Sequence, residues 1–488
     1  MNKGFSFKRY FPILVWAPNY TNSKFFDDTI AALIVAIMLI PQALAYALLA
    51  GLPAETGLYA SMVGLTVYAL FGASNTLSVA PVAVISLMTA TALAKLSLAT
   101  PEETLAAALF LTFLSGLFLL LLGLLRLGFM ANLLSQPVIS AFVTASALII
   151  GLSQMQHIFG VSANGQNFLG LLGSLFGQLG SINFVTFYIG AGSIGFIIFS
   201  KLVIKNMFLK IGVDAHIATT LSRSGPLLVA LITGLLAYIF RLDQQGVQLL
   251  GEVPRGLPDF GLPGFSIDLL NSLIGSALLI SIIGFVESIS VAQTLAARRR
   301  ERVDLNQELV GLGASNLATS FGGGFPVSGG FSRSVVNFEA GAATPAAGLF
   351  TAILIAVVAL FFTPALFWLP RVSLAAIIIV AVYGLIDFSV LKKAWVYSKA
   401  DFTAVLITLV LTLLIGVEVG IGSGVLASVL IHLYKTSQPH VAVIGRVTGT
   451  EHFRSVDRHT VETFENQLSI RIDESLYFAN TRYLEELI

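Results

Sequence analysis

The sequence predicts an all-α polytopic membrane protein whose helical pattern breaks twice, and three observations carry that prediction. The first is composition: of 488 residues, 56% are hydrophobic and 11% charged, where a soluble domain carries about 25% charged residues. Mean hydropathy is +0.88. The second is spacing. Apolar stretches recur near the roughly 20 residues that cross hydrocarbon, among them 29–50, 105–125, 182–200, 226–240, 269–291, 346–362 and 402–417. The third is the glycine-rich run at 321–345, FGGGFPVSGGFSRSVVNFEAGAATP, which lies between apolar helices and holds a single arginine, Arg333. Irregular backbone survives at membrane depth only where it is buried in protein or lines a wet cavity.

Fourteen membrane segments follow from the hydropathy pattern, at 27–50, 57–72, 78–95, 104–125, 133–152, 182–203, 225–241, 269–292, 307–321, 328–340, 344–363, 371–385, 400–417 and 419–435. An even number puts both termini on one side. Lys and Arg cluster at 3–24, 201–210, 298–302 and 392–399, all on that side, while the opposite loops hold only Lys95, Arg241, Arg255 and Arg371. The positive-inside rule makes the termini cytoplasmic. The basic, amphipathic stretch 1–26 is expected to be a cytoplasmic interfacial segment, because no small-residue cleavage site follows it. Forty-four glycines suit closely packed membrane helices. The absence of cysteine excludes disulfides, thiolate metal sites and cysteine nucleophiles.

Segments three and ten are both interrupted. The third opens with Leu77-Ser78-Val79-Ala80-Pro81-Val82-Ala83 and the tenth with Phe325-Pro326-Val327-Ser328-Gly329-Gly330. Each reads as a short extended stretch turning into a half-helix. Matching breaks in two sets of seven segments imply a 7+7 inverted repeat, with the substrate near the repeat interface. The identical GASN tetrapeptides at 72–75 and 313–316 lie at different distances from their breaks and read as coincidence. Beyond Lys435 the chain turns polar, with an extended pattern at 467–472, a second strand expected at 476–478 and a helix beginning near Thr481. This reads as the opening of a cytosolic α/β domain, whose remainder is expected to lie outside the sequence because 488 falls in mid-helix.

The residues at these breaks, with the first-span run IPQALAYALLAGLP at 40–53 and the Gly57-Leu58-Tyr59 that follows, resemble the SulP (solute carrier 26) anion transporter family. So do Leu77-Ser78-Val79-Ala80-Pro81, Phe331-Ser332-Arg333-Ser334 and Ala340-Gly341-Ala342. The tail at 464–488 resembles the start of that family's STAS domain. The resemblance implies a transport domain at 27–436, with segments 1–4 and 8–11 forming a core and 5–7 and 12–14 a gate. It also implies a linker at 437–462, a STAS fragment at 463–488, a homodimer, and an anion carried between half-helices three and ten. Residence is expected in the bacterial inner (plasma) membrane, with a cytosolic partner acting through the STAS domain.

Arg333 stands in the first turn of the second half-helix. A guanidinium is a permanent charge, expensive at membrane depth unless it faces a cavity or finds a partner. It reads as an anion-site charge, and the competing reading is a structural ion pair with Glu287 or Glu339. Helix-start amides favour anions, so those around Gly330, Phe331 and Ser332, with those of Val82 and Ala83 in the other half, are the expected direct donors. Pro81 suits a first helical turn. Gln42 and Tyr46 lie four apart on one helix face; Tyr46 alone reads as a packing aromatic, and the resemblance makes both site residues. Glu287 lies inside the eighth span, where an acid beside a fixed positive charge can exchange a proton during a cycle. The resemblance points to ion coupling at that position, and a glutamate favours H⁺.

The remaining features read plainly. Glu55 and Glu418 cap or pair near segment ends, and Gly420-Ile421-Gly422-Ser423-Gly424 is helix packing rather than a nucleotide loop. Arg298-Arg299-Arg300-Glu301-Arg302 sets topology. The six histidines, His157, His216, His432, His440, His452 and His459, have no metal-ligand spacing. No enzyme motif, phosphate-binding loop or cofactor signature is present. The expectation is therefore a secondary transporter of a small anion, sulfate, by H⁺ symport with alternating access. Bicarbonate and C4-dicarboxylates are alternatives within the same family, and an anion channel is the alternative of another class.

Overall fold

The computed structural model describes residues 10–487 apart from 97, 133–134, 164, 166, 213–217 and 219–221. The first nine residues of the expected interfacial segment, the start of the segment expected at 133–152, and His216 lie outside the described residues. The apolar runs fold as helices α1 (Asn22–Leu49), α2 (Glu55–Phe71), α3 (Ala83–Ala94), α4 (Pro101–Leu124), α5 (Gln136–Phe159), α6 (Phe168–Gly177), α7 (Phe184–Phe199) and α8 (Gly225–Phe240). The second half continues as α9 (Ile267–Arg299), α10 (Leu305–Phe321), α11 (Phe331–Glu339), α12 (Ala346–Phe361), α13 (Arg371–Tyr383), α14 (Ser389–Tyr397), α15 (Lys399–Leu414) and α16 (Val417–Ser437). Each of the fourteen expected segments falls on one of these helices. Six helical stretches, Asn22–Leu49, Pro101–Leu124, Gln136–Phe159, Phe184–Lys210, Ile267–Arg299 and Val417–Ser437, are long and apolar enough to cross a membrane.

Local chemistry sets many of the helix starts. Thr21, Thr100, Asn183, Asp304 and Ser398 each accept a backbone N–H from the first turn of the helix they precede, satisfying a donor that the helix cannot satisfy itself. Among helices of more than six described residues, two were not anticipated. Leu171 and Leu175 are buried in α6, and Val390 and Ala394 in α14; both helices are too short to register as spans.

Glycine lets the bundle close. A Cβ on Gly116 would lie 2.5 Å from the Leu317 nitrogen, and one on Gly313 2.6 Å from that of Leu120, so α4 and α10 touch backbone to backbone as small-residue membrane interfaces do. Gly420 and Gly424 seat α16 against Thr412 and Thr408 of α15, which is the packing role expected of that run. The GASN copies are not equivalent. Gly72 ends α2, while Gly313 and Asn316 lie within α10. Buried Asp28 of α1 accepts the N–H groups of Ala343 (2.7 Å) and Thr344 (3.0 Å) and the Thr344 hydroxyl (2.6 Å), fastening the loop after α11.

The tail departs from expectation in two places. The stretch 437–462, expected as a linker, supplies β3 (Val441–Arg446) and β4 (Phe453–Ser455), and the three-stranded sheet runs β4–β3–β5 with β5 at Ile470–Ile472. The β-branched residues of Val441-Ala442-Val443-Ile444 explain the strand. The second strand expected at 476–478 does not form, because the Tyr477 N–H donates to Asn480 Oδ1 at 3.0 Å and turns the chain into α17 (Thr481–Leu487). Asp473 follows β5 and accepts from Arg471 Nε at 2.8 Å. That guanidinium first, and then His440, hold its carboxyl below the usual range.

Candidate functional site: two half-helices meeting at a strand bridge

The two breaks pair with each other. Residues Val79–Ala80 (β1) and Ser328–Gly329 (β2) form an antiparallel ladder with Val79 opposite Gly329 and Ala80 opposite Ser328. Extended backbone inside a bundle must satisfy its own polar groups, and here side chains from neighbouring helices complete the ladder. Asn316 of α10 donates to the Val327 carbonyl (3.0 Å) and accepts the Val327 N–H (2.9 Å), acting as a substitute strand. Ser288 of α9 accepts the Gly329 N–H at 2.8 Å and meets the Ser328 hydroxyl at 2.9 Å. Ser334 accepts the Ser78 N–H at 2.9 Å, and Asn337 donates to the Thr76 carbonyl at 3.0 Å. Sequence reasoning assigned no role to Ser288, Asn316, Ser328, Ser334 and Asn337; Ser328 and Ser334 stood in the motifs of the second break and Asn316 in a GASN tetrapeptide, but nothing in the sequence tied any of them to the ladder.

From this bridge α3 and α11 depart. Val82 and Gly330, in extended conformation, precede their first turns, and no side chain caps either start. The first hydrogen bonds back into each helix are made by the Ser86 and Ser334 amides, so the preceding N–H groups of each first turn have no partner within their helix. The two starts converge with their positive dipole ends at the bridge. Val82 and Ala83 are buried, whereas Phe331 and Ser332 are exposed. Gly330, expected among the amide donors, is corrected here: its N–H donates to the Ser78 carbonyl at 3.2 Å, since the ladder runs one residue further than the strand.

Arg333 is 3% exposed. Its Nη1 donates to the Pro81 carbonyl (2.7 Å) and its Nη2 to that of Ala80 (3.1 Å). The guanidinium thus fastens one half-helix to the strand that opens the other. It lies against Gly330, where a Cβ would stand 2.8 Å from Cζ. The competing structural ion pair does not form: Arg333 turns both terminal nitrogens to carbonyls, and Glu339 pairs with Arg223. Glu287 on α9 stays within electrostatic reach of Arg333 and of the Tyr46 hydroxyl. Glu287 Oε2, Arg333 Nε and Ser78 Oγ are buried without a protein hydrogen-bond partner, each costing about 1–3 kcal/mol if left unmet. Gln42 and Tyr46 are buried on α1, which packs against both α3 and α11.

Membrane carriers that hold cargo where discontinuous helices meet near mid-membrane are the class to which this arrangement corresponds. Residues 25–408 match the sulfate permease family, and the chain belongs to that family, whose members are transporters rather than enzymes. Sulfate transporter 4.1, chloroplastic, of Arabidopsis thaliana is 36% identical over 479 residues, covering 98% of this chain and 68% of that protein. The sodium-independent sulfate anion transporter of Bos taurus is 33% identical over 454 residues, covering 89% and 74%. The fold is shared with SLC26A9, at a TM-score of 0.90 and 23% identity over 98% of this chain and 76% of that one. The transmembrane domain of the cyanobacterium bicarbonate transporter BicA aligns with a TM-score of 0.69 and 23% identity, over 84% of this chain and 98% of that one.

Proposed function

We propose that this chain is a secondary active transporter that carries sulfate by H⁺ symport with alternating access. One observation carries the reading: two uncapped half-helix starts converge on a bridge beside a buried guanidinium. Backbone amides of Val82, Ala83, Phe331 and Ser332 bind the anion, with the Gln42 amide and the Tyr46 ring edge completing its surround. Arg333 supplies fixed positive charge, and Gly330 makes room for it. Glu287 carries the coupled proton. Relatives named as sulfate transporters, aligned over nearly the whole chain, favour sulfate. Bicarbonate is the second reading, favoured by the fold shared with BicA.

In this reading the fourteen segments form a 7+7 inverted repeat, in which α1–α4 and α9–α12 are the core and α5, α7, α8, α13, α15 and α16 the gate. Two small apolar clusters support the division. Ile158 with Ala237 and Val372, and Val138 with Ala404 and Val405, bury residues of the second group against one another. Both termini face the cytoplasm from the inner membrane, the sheet and α17 open a STAS domain that meets a cytosolic partner, and two copies form a dimer.

Counterflow of labelled sulfate, bicarbonate and succinate into proteoliposomes, with and without a pH gradient, tests the reading. Sulfate is expected to exchange fastest and to accumulate only with an inward proton gradient. Glu287→Gln is expected to keep exchange and lose uphill uptake; intact pH-driven uptake in that variant would remove the proton from Glu287. Unitary currents would replace the carrier by a channel.

A further inference from the structure

Because α3 and α11 start at one bridge and run apart, their C-terminal ends lie at opposite faces of the bundle. Each end carries a charge, and each charge is paired with the start of a helix from the other packing group. Lys95, the C-cap of α3, pairs with Glu418 in the first turn of α16. Glu339, the last residue of α11, pairs with Arg223, two residues before α8. The partners are fixed by their own neighbours. Ser276 of α9, on the core side with Lys95, also donates to Glu418 Oε1 at 2.8 Å, a second bond across the same division, and the Ser200 hydroxyl holds the Ser222 carbonyl at 2.8 Å beside Arg223. The two pairs occupy corresponding places in the two halves of the chain with the signs of charge exchanged.

We propose that these two ion pairs are alternating latches. Lys95–Glu418 closes the face at the far end of α3, Arg223–Glu339 closes the face at the far end of α11, and each half-cycle opens one while the other holds. This rests on the division into core and gate made above. The side chains are partly exposed, at 56% and 14% for the first pair and 27% and 39% for the second. A pair of that kind shifts a two-state population by about fivefold at most, a size that biases a cycle without stopping it.

The latches are not equivalent. Lys95 sits at a helix C-terminus and Glu418 at a helix N-terminus, so each charge is matched to its own helix dipole when the pair opens. Glu339 sits at the C-terminus of α11 and faces a like-signed helix end when apart, whereas Arg223 is the last helical residue before Ser224 and gains no such penalty from its own turn. The second latch depends more on its partner, and the face it closes is the harder one to open.

The chain has no cysteine of its own, which makes a reporter simple. Thr91 lines a cavity of about 370 Å³ beside Lys95 and Glu418, together with Gln154 and His157. In the reconstituted full chain carrying Thr91→Cys, labelling by a membrane-impermeant maleimide reads how often this face is open. Lys95→Glu is expected to raise the labelling rate severalfold, and adding Glu418→Lys to restore it. Arg223→Glu is expected to lower it, and adding Glu339→Arg to restore it. Lys95→Gln and Arg223→Gln, which only neutralise, should move labelling in the same directions by less. Lys95→Glu and Arg223→Glu moving Thr91→Cys labelling in the same direction, or swaps that fail to restore it, overturn the latches. Sulfate counterflow by the Thr91→Cys protein is read separately. Its absence counts against the proposed function, while the labelling pattern still judges the latches.

Discussion

Arg333 is a permanent charge whose two terminal nitrogens are already committed to the carbonyls of Ala80 and Pro81. That commitment separates its charge from its shape. Arg333→Lys keeps the charge, but a single ammonium cannot reproduce a planar fork spanning two carbonyls. One lost charge-assisted bond is worth about 1.5–3 kcal/mol, so anion affinity in a binding titration is expected to fall about tenfold or more. Gly330→Ala should act the same way from the other side, because its Cβ would stand 2.8 Å from Cζ of Arg333. If Arg333→Lys binds and transports normally, charge alone suffices and the staple is dispensable. The sequence made this residue conspicuous, since one arginine among glycines in an apolar chain has few explanations. It could not say where the donors go. The carbonyls lie 252 and 253 residues away, and a carbonyl has no letter of its own in a sequence. The same holds for Ser288 and Asn316, since serine in a membrane helix commonly bonds its own preceding turn. Ser288 does so at 2.6 Å while also serving β2.

At the scale of elements, both half-helices and both extended leads were legible, because proline, glycine and small polar residues punctuate apolar runs in a recognisable way. The ladder between them was not. Two strands of two residues each have no alternation to read, and no hairpin turn joins them. α6 and α14 escaped for lack of length, and 476–478 was misread because its aromatic and apolar residues precede an Asn-anchored turn. The ladder depends on its side-chain struts. Ser288→Ala leaves the buried Gly329 N–H without its acceptor, costing about 1–3 kcal/mol, and should lower both the unfolding temperature and the anion affinity. Gly313→Val tests packing instead: with the Leu120 nitrogen 2.6 Å from an added Cβ, α4 and α10 must separate. Thermal unfolding in detergent should then show a loss larger than that of Ser288→Ala, with anion affinity in the surviving fraction little changed.

At the scale of the whole molecule, the tail meets the membrane-embedded part at the end of α16, where Thr436 contacts the Tyr477 hydroxyl at 2.8 Å and accepts from Asn480. Neither contact touches the bridge. Deleting residues 438–488 is accordingly expected to leave the counterflow rate within about twofold, as for distant, independent sites; a larger loss would mean that the sheet and α17 act on the cycle. The strand bridge has a different reach. It ties the two half-helix starts together by backbone, serine, asparagine and arginine bonds, so in the proposed alternating access the binding amides would travel as one piece and not be reassembled at each face. An anion that meets the same donors from either direction has the same intrinsic dissociation constant at both faces. The protein then has no built-in ratchet. Run without a gradient it equilibrates sulfate to equal concentrations, and under the proposed symport any accumulation would be driven wholly by the coupled ion, while half-saturation for entry and exit would differ only through how often each face is open.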